Sequence, residues 1–250
     1  MTGGAHPAEP PPTRLAAAAL VVAAVLAAVA GFVDAVGFNR LFGVFPANQS
    51  GNVAFLGMAI GGDGPAAGWR CALSITGFAV GTAAGFMLGH RLGPRRRGPT
   101  LIVVELLLLV IVTIIAGNVD GSGISAGFTS VVLVALGSFA MGIQTEAIRR
   151  VAGVAIATTY QSGAVARIGE ATTGLLRRPT TPARLAAPLP ILAGVLVTYC
   201  AGAALGATGP GRWSRPLALP CIVLALLVVA WWLVPRWFGA IDQDADSPDH

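Results

Sequence analysis

Charge is scarce in this chain. Only 11% of its 250 residues are Asp, Glu, Lys or Arg, against 55% hydrophobic, and the mean hydropathy is +0.75. An ordinary soluble domain, in which about a quarter of residues are charged, is excluded. Cysteine and histidine are few as well. Cys71, Cys200 and Cys221 lie within or beside apolar segments and have no metal or redox spacing, so they read as small membrane-buried side chains. His6, His90 and His250 are scattered over a tail, a loop and the terminus. No glycine-rich phosphate loop, zinc-ligand spacing or serine or cysteine triad is found. The expectation is therefore no catalytic residue, no metal and no cofactor. An intramembrane enzyme would need paired acids, or a nucleophile and a base in one plane. Alternating polarity over about ten residues, which a spanning β-strand requires, is also missing.

Long apolar runs are what the chain has. A hydrocarbon core of about 30 Å needs roughly 20 apolar residues in a helix, and six runs approach this: Leu15–Phe38, Ala66–His90, Thr100–Gly117, Ser125–Ile148, Leu185–Gly206 and Pro216–Val234. The class is an all-α polytopic membrane protein with the lipid bilayer as its first partner. A signal peptide is the rival reading of the first run, with Arg14 ahead of it and small residues near Ala28–Ala30. Residues 1–13 are rich in Pro and Gly and read as a disordered tail. Residues 238–250, with Asp242, Asp244, Asp246 and Asp249, read as an acidic one. Trp213, Trp231, Trp232 and Trp237 bracket the last run as interfacial anchors. The formal net charge of +5 comes from arginines placed between apolar segments instead of on one face. They read as orientation signals, and no nucleic-acid partner is expected.

The chain is written twice. Aligning Gly43 with Gly153 pairs Asp34 with Gln144 and Arg40 with Arg150, and two residues of extra length bring Gln49-Ser50-Gly51 onto Gln161-Ser162-Gly163. Repeat 1 covers about residues 14–117 and repeat 2 about 125–237, within one transmembrane domain, 14–237. The copy of the first run in mid-chain argues against a signal peptide. Glycine ladders add a second match: Gly77, Gly81, Gly85 and Gly89 in one half, and at an offset of 117 Gly194, Thr198, Gly202 and Gly206 in the other. Small residues at i, i+4, i+8 and i+12 line one helix face and let a second helix come close.

Each half also holds a short polar stretch, Leu41–Gly64 and Gly153–Leu176, too short or too polar for an ordinary span. Both read as broken or re-entrant segments, which membranes tolerate where backbone is buried in protein or lines a wet cavity. With six spans, most arginines fall on one side, so both termini are expected in the cytoplasm. Eight spans would put the Arg95–Arg97 and Arg177–Arg178 clusters on opposite sides. Three spans per half is odd, which turns the halves upside down relative to each other, an inverted-repeat topology.

Asp34 is costly inside a span and is a functional candidate, or else an interfacial acid paired with Arg40. Gln144 keeps the hydrogen-bonding capacity without the charge. Glu105, the lone acid in V-V-E-L-L-L-L-V, either snorkels towards Arg95–Arg97 or carries protons; Asp34 and Glu105 are the two candidates for proton coupling. Glu146 and Arg150 are spaced for a helix-face ion pair. Asn48, Gln49, Ser50, Gly51 and Asn52, with Thr158, Thr159, Gln161, Ser162 and Gly163, supply neutral donors and acceptors. They suit a polar solute or a dehydrated ion, or they satisfy backbone groups at a helix break.

With G-F-V-D-A-V-G-F, S-G-N-V-A-F-L-G, M-G-I-Q-T-E-A-I-R-R and A-T-T-Y-Q-S-G in this order, the chain resembles the YoaK family of bacterial membrane proteins, a domain of unknown function. The resemblance covers roughly residues 15–237 and implies an inner-membrane protein of about six helices, with no substrate. Asp34, Ser50, Gly51, Asn52, Gln144, Thr158, Thr159 and Gly163 match its characteristic positions, while Gln49 and Gln161 depart from them. The leading functional expectation is a secondary transporter or permease-like protein for a small polar solute or ion. Its rival is a membrane scaffold or regulatory partner whose glycine faces assemble helices, in a homo-oligomer or with another protein.

Overall fold

The computed structural model describes residues 13–64, 67–117, 127–151, 154–156, 158–159, 161–177, 188–208, 215 and 217–233. Both tails, apart from helical Thr13, Trp213 and Trp237, and Arg178, Arg184, Arg212 and Arg236 lie outside them. The described chain is helical: α1 Thr13–Val36, α2 Gln49–Ile60, α3 Gly68–Arg91, α4 Pro94–Gly117, α5 Phe128–Ala147, α6 Gln161–Arg177, α7 Pro188–Ala207 and α8 Ala218–Leu233. A wider π-turn, Gly37–Phe42, continues α1, and a hairpin pairs β1 (Arg150–Val151) with β2 (Val154–Ala155).

Five helices are long and apolar enough to cross a membrane, namely α1 with its π-turn, α3, α4, α5 and α7. The sixth expected span, α8, is a shorter apolar helix of 16 residues. Large apolar side chains face outward along these helices, among them Val80, Met87, Leu107, Ile114, Val197 and Leu226. Such a belt suits lipid, which solvates apolar groups as well as a protein core does. The architecture is that of a multi-pass membrane protein.

α1 is apolar all round, and a helix without a polar face belongs inside; Val22, Ala23, Leu26, Ala27 and Ala30 are fully or almost fully buried. Its main partner is α7, and the other extensive pair is α3 with α5. The first helix of each half thus packs on the second spanning helix of the other half. Small residues make both contacts. A Cβ placed on Gly202 would fall inside the carbonyl oxygen of Ala28, and one on Gly31 inside that of Tyr199. In the other pair Gly81 meets the carbonyl of Phe139, and Gly142 that of Phe78. Further along, Gly206 faces Phe32 and Ala35 as Gly85 faces Ile143 and Glu146.

A shift of 111 residues from α1 to α5 and of 121 from α3 to α7 carries each of these contacts onto its counterpart, Gly31 to Gly142 and Gly81 to Gly202. That register differs from the one read by matching motifs. A ladder of small residues every four positions still matches itself after slipping one turn, so an offset of 117 and one of 121 look alike in sequence. By the contacts, Asp34 corresponds to Thr145, not Gln144. The ladders are also not uniform: a Cβ on Gly77 would meet Ala135 and Ser138, one on Gly89 would lie 2.9 Å from the Arg97 side chain, and Gly194 is almost open. Thr198 turns its hydroxyl back onto the carbonyl of Gly194 at 2.8 Å.

α4 and α5 form a hairpin whose ends are joined by charge. Arg97 donates to Glu146 at 3.0 Å, with Arg149 3.8 Å from the same oxygen. Glu146 and Arg150 do not share a helix face, because α5 ends at Ala147 and Arg150 opens the hairpin. Trp231, read as an interfacial anchor, is buried with its ring against Gly98, whereas Trp232 is exposed.

Candidate functional site

The first polar stretch is a helix break. The π-turn closes on Gly43, whose φ of 69° lies in the left-handed region that glycine enters without strain. Val44–Asn48 then run without helical hydrogen bonds until α2 begins under Asn48. Asp34 reaches across from α1 and holds this break. One carboxyl oxygen accepts from the backbone N–H of Ala47 at 2.6 Å. The other accepts from the N–H of Asn48 at 3.0 Å and from the Tyr199 hydroxyl on α7. An acid at the start of α2 meets the positive end of the helix dipole, so the buried carboxyl ties α1, α2 and α7 together. Pairing with Arg40, the alternative weighed above, is not what the structure shows.

Beside it, Asn52 closes the loop. Its side chain accepts from Phe45 N–H at 2.9 Å, and donates to the Phe45 carbonyl at 2.6 Å, to Gln49 at 2.8 Å and to Ser74 at 3.0 Å. Gln49 donates to the Pro46 carbonyl at 2.8 Å, and Ser74 is 2.7 Å from Ser138, linking α3 to α5. Gly51 leaves room for the Phe45 ring, 2.8 Å from where its Cβ would be, and that ring stacks on Phe38 at 4.8 Å. Ser50 is exposed and bonds Asn48 at 2.7 Å. Gln49 and Asn52 therefore satisfy backbone groups at the break, while Asn48 and Ser50 face the more open side. Asn52→Ala is expected to cost about 1–3 kcal/mol, because it removes the acceptor of the Phe45 amide and a donor shared by the Phe45 carbonyl and Ser74. Ser50→Ala should stay within about 0.5 kcal/mol of wild type. Thermal unfolding in detergent measures both.

The second break is built differently. After α5 and the hairpin, Thr158 and Thr159 lead into α6. The Thr145 hydroxyl is 2.8 Å from that of Thr159, and Gln161 donates to the Thr158 carbonyl at 3.1 Å. Thr158, Thr159 and Gln161 are buried, and among the described residues the Thr158 hydroxyl and the Gln161 side-chain oxygen have no hydrogen-bond partner. Ser162 is exposed and Gly163 half-buried.

The two breaks are separate clusters. Gln144 donates to the Leu26 carbonyl at 2.7 Å, which places the neighbouring Thr145 near Leu26 of α1. Asp34 lies eight residues further on, about 12 Å along the helix. Between these levels sits Glu105. Gly98 is opposite Ala147 at the end of the α4–α5 hairpin, and Glu105 is seven residues, about 10 Å, deeper. It is fully buried, and among the described residues both its oxygens lack a partner, as does the side-chain oxygen of Gln144. It does not snorkel; Arg97 is engaged by Glu146.

Several participants carried little signal in the sequence. Ser74, Ser138, Thr145 and Tyr199 are single hydroxyls inside apolar runs, where threonine and serine commonly bond their own helix. Tyr199 was the most readable of them, one of two tyrosines in the chain.

The chain is 28% identical over 183 residues to UPF0700 transmembrane protein YoaK of Bacillus subtilis (strain 168), covering 71% of this chain and 78% of that protein. No solved structure matches it. The model of the family described as protein of unknown function DUF1275 matches residues 22–230, nearly the whole helical body described above, and the chain belongs to that family.

Proposed function

We propose that the protein is a secondary transporter or permease-like protein for a small polar solute or ion, built as two inverted three-span repeats. The observation that carries this reading is the pair of polar helix breaks, one after the first helix of each half and about 12 Å apart along α1. The matching glycine contacts support the repeat, and an odd number of spans per half sets the halves upside down, the arrangement in which broken helices offer backbone groups to a solute. Each break then serves one side of the membrane. Glu105 and Gln144 provide unmet buried polar atoms, and such groups in a membrane interior mark functional positions. Asp34 has both oxygens taken up by three donors, so we assign it to holding the first break and Glu105 to proton coupling. The arginine distribution favours an inner-membrane protein with both termini in the cytoplasm.

Accessibility labelling tests the reading. In a background lacking Cys71, Cys200 and Cys221, single cysteines replace Ser50 and Ser162, both exposed, and an impermeant thiol reagent is applied from each side. The expected result is labelling of position 50 from one side and of position 162 from the other, with reactivity that shifts when solutes or pH are changed. Fixed reactivity under every condition would leave the scaffold reading as the better one.

A further inference from the structure

The two breaks differ by one carboxyl group. In the register set by the glycine contacts, Asp34 corresponds to Thr145 and Tyr199 to Phe78, and the starts of the two break helices pair Gln49 with Gln161, which sets Ala47 against Thr159. In the first half the amides of Ala47 and Asn48 and the Tyr199 hydroxyl close on the Asp34 carboxyl. In the second half the acid is replaced by the shorter Thr145, and the hydroxyl aimed at the acid is lost with it. The second break nevertheless keeps the N-terminus of a 17-residue helix, whose first amides have no partner within the helix and whose dipole favours an anion.

A second observation points to a ligand there. Thr158 is fully buried and Gln161 is 8% exposed. Among the described residues, the hydroxyl of the first and the side-chain oxygen of the second have no partner at the helix start. A hydroxyl can donate to a carboxylate, whereas an amide oxygen can only accept. The complementary ligand therefore carries both an anionic oxygen and an O–H or N–H donor close to it.

The geometry points to the second break as a binding site for a small carboxylate with a donor on the adjacent carbon, its carboxylate standing where the first half places Asp34. This rests on the transport reading above and names its substrate class. Thr145, Thr158 and Gln161 are binding residues, and Thr159 orients Thr145.

The test is thermal unfolding of the full chain in detergent against glycolate, glycine, acetate and chloride. Glycolate is expected to raise the midpoint saturably, with an apparent affinity at least about tenfold better than that of acetate, which lacks the donor. Thr158→Val should weaken the glycolate response about ten- to a hundredfold, and Thr158→Ser should restore it. Thr145→Asp supplies the missing carboxyl from the chain itself, and is expected to abolish the response while raising the ligand-free midpoint. A response to glycine in place of glycolate supports the same site and identifies the donor as an ammonium. No response to either, equal responses to acetate and chloride, or an unchanged glycolate response in Thr145→Asp overturns the proposal. Uptake into proteoliposomes separates the two ideas. Saturable glycolate binding without flux keeps the site and removes transport, while flux of another solute without a glycolate response keeps transport and removes the site.

Discussion

Gly202→Ala is expected to abolish accumulation of folded protein, whereas Gly194→Ala, on the same helix, is expected to leave it unchanged. A methyl group at position 202 would occupy the space of the Ala28 carbonyl oxygen and lie 2.7 Å from its carbon. Overpacking usually costs about 1–3 kcal/mol because a flexible side chain can move aside. Here the obstacle is backbone on the central helix, so relief requires parting α1 from α7 along their length. That would also pull Gly31 from Tyr199 and Gly206 from Phe32, contacts that membrane helices rely on where no hydrophobic force drives association. At Gly194 the nearest atom is a Leu20 methyl at 4.0 Å, ordinary contact for a new Cβ. Size-exclusion profiles in detergent measure both outcomes. Equal behaviour of the two variants would show that α1 and α7 do not approach as described.

The second large effect is expected at Asp34. Asp34→Ala removes the common acceptor of two backbone amides and the Tyr199 hydroxyl. Each buried donor left unmet costs about 1–3 kcal/mol, so the loss should be on the order of 3 kcal/mol or more. Asp34→Asn keeps one acceptor oxygen and should cost less. Tyr199→Phe alone should cost about 1–3 kcal/mol in the wild type and far less in the Asp34→Ala background, since the interaction it removes is already gone. A coupling energy near zero in this cycle would contradict the clamp. Asp34→Asn should also leave any proton-coupled flux measurable, while Glu105→Gln should remove the coupling. The reverse pattern would exchange the roles of the two acids.

The helices were readable because the bilayer simplifies the problem: long apolar runs have one outcome, and the expected spans match the observed ones to within a few residues at most ends. The register of the glycine contacts was not readable. The four-residue ladder fits itself after a slip of one turn, and only the contacts of Gly31 and Gly142 resolve the slip. Side-chain roles were readable by type more than by partner. That Asp34 and Asn52 matter follows from their placing, yet Asp34 meets Tyr199 across 165 residues of chain and Asn52 meets Ser74 across 22, distances over which local pattern carries no information. Glu146 illustrates the opposite error. Spacing drew attention to the residue four positions on, whereas the arginine seen on this acid is Arg97, 49 residues earlier in the chain.

The exchange of helices between halves also governs how the protein can be made. α1 leaves the ribosome long before its main partner, α7, which begins at Pro188, so α1 must wait in the bilayer while about 150 residues are synthesised. Gly31, with its exposed backbone, stays unmatched throughout that interval. α3 waits for α5 in the same way, though more briefly. Neither half can close its core alone, and long-range pairings of this kind are slow to form and vulnerable before they do. The fold is completed only when the last third of the chain arrives, so a truncated product is left with an open glycine seam that marks it as unfinished.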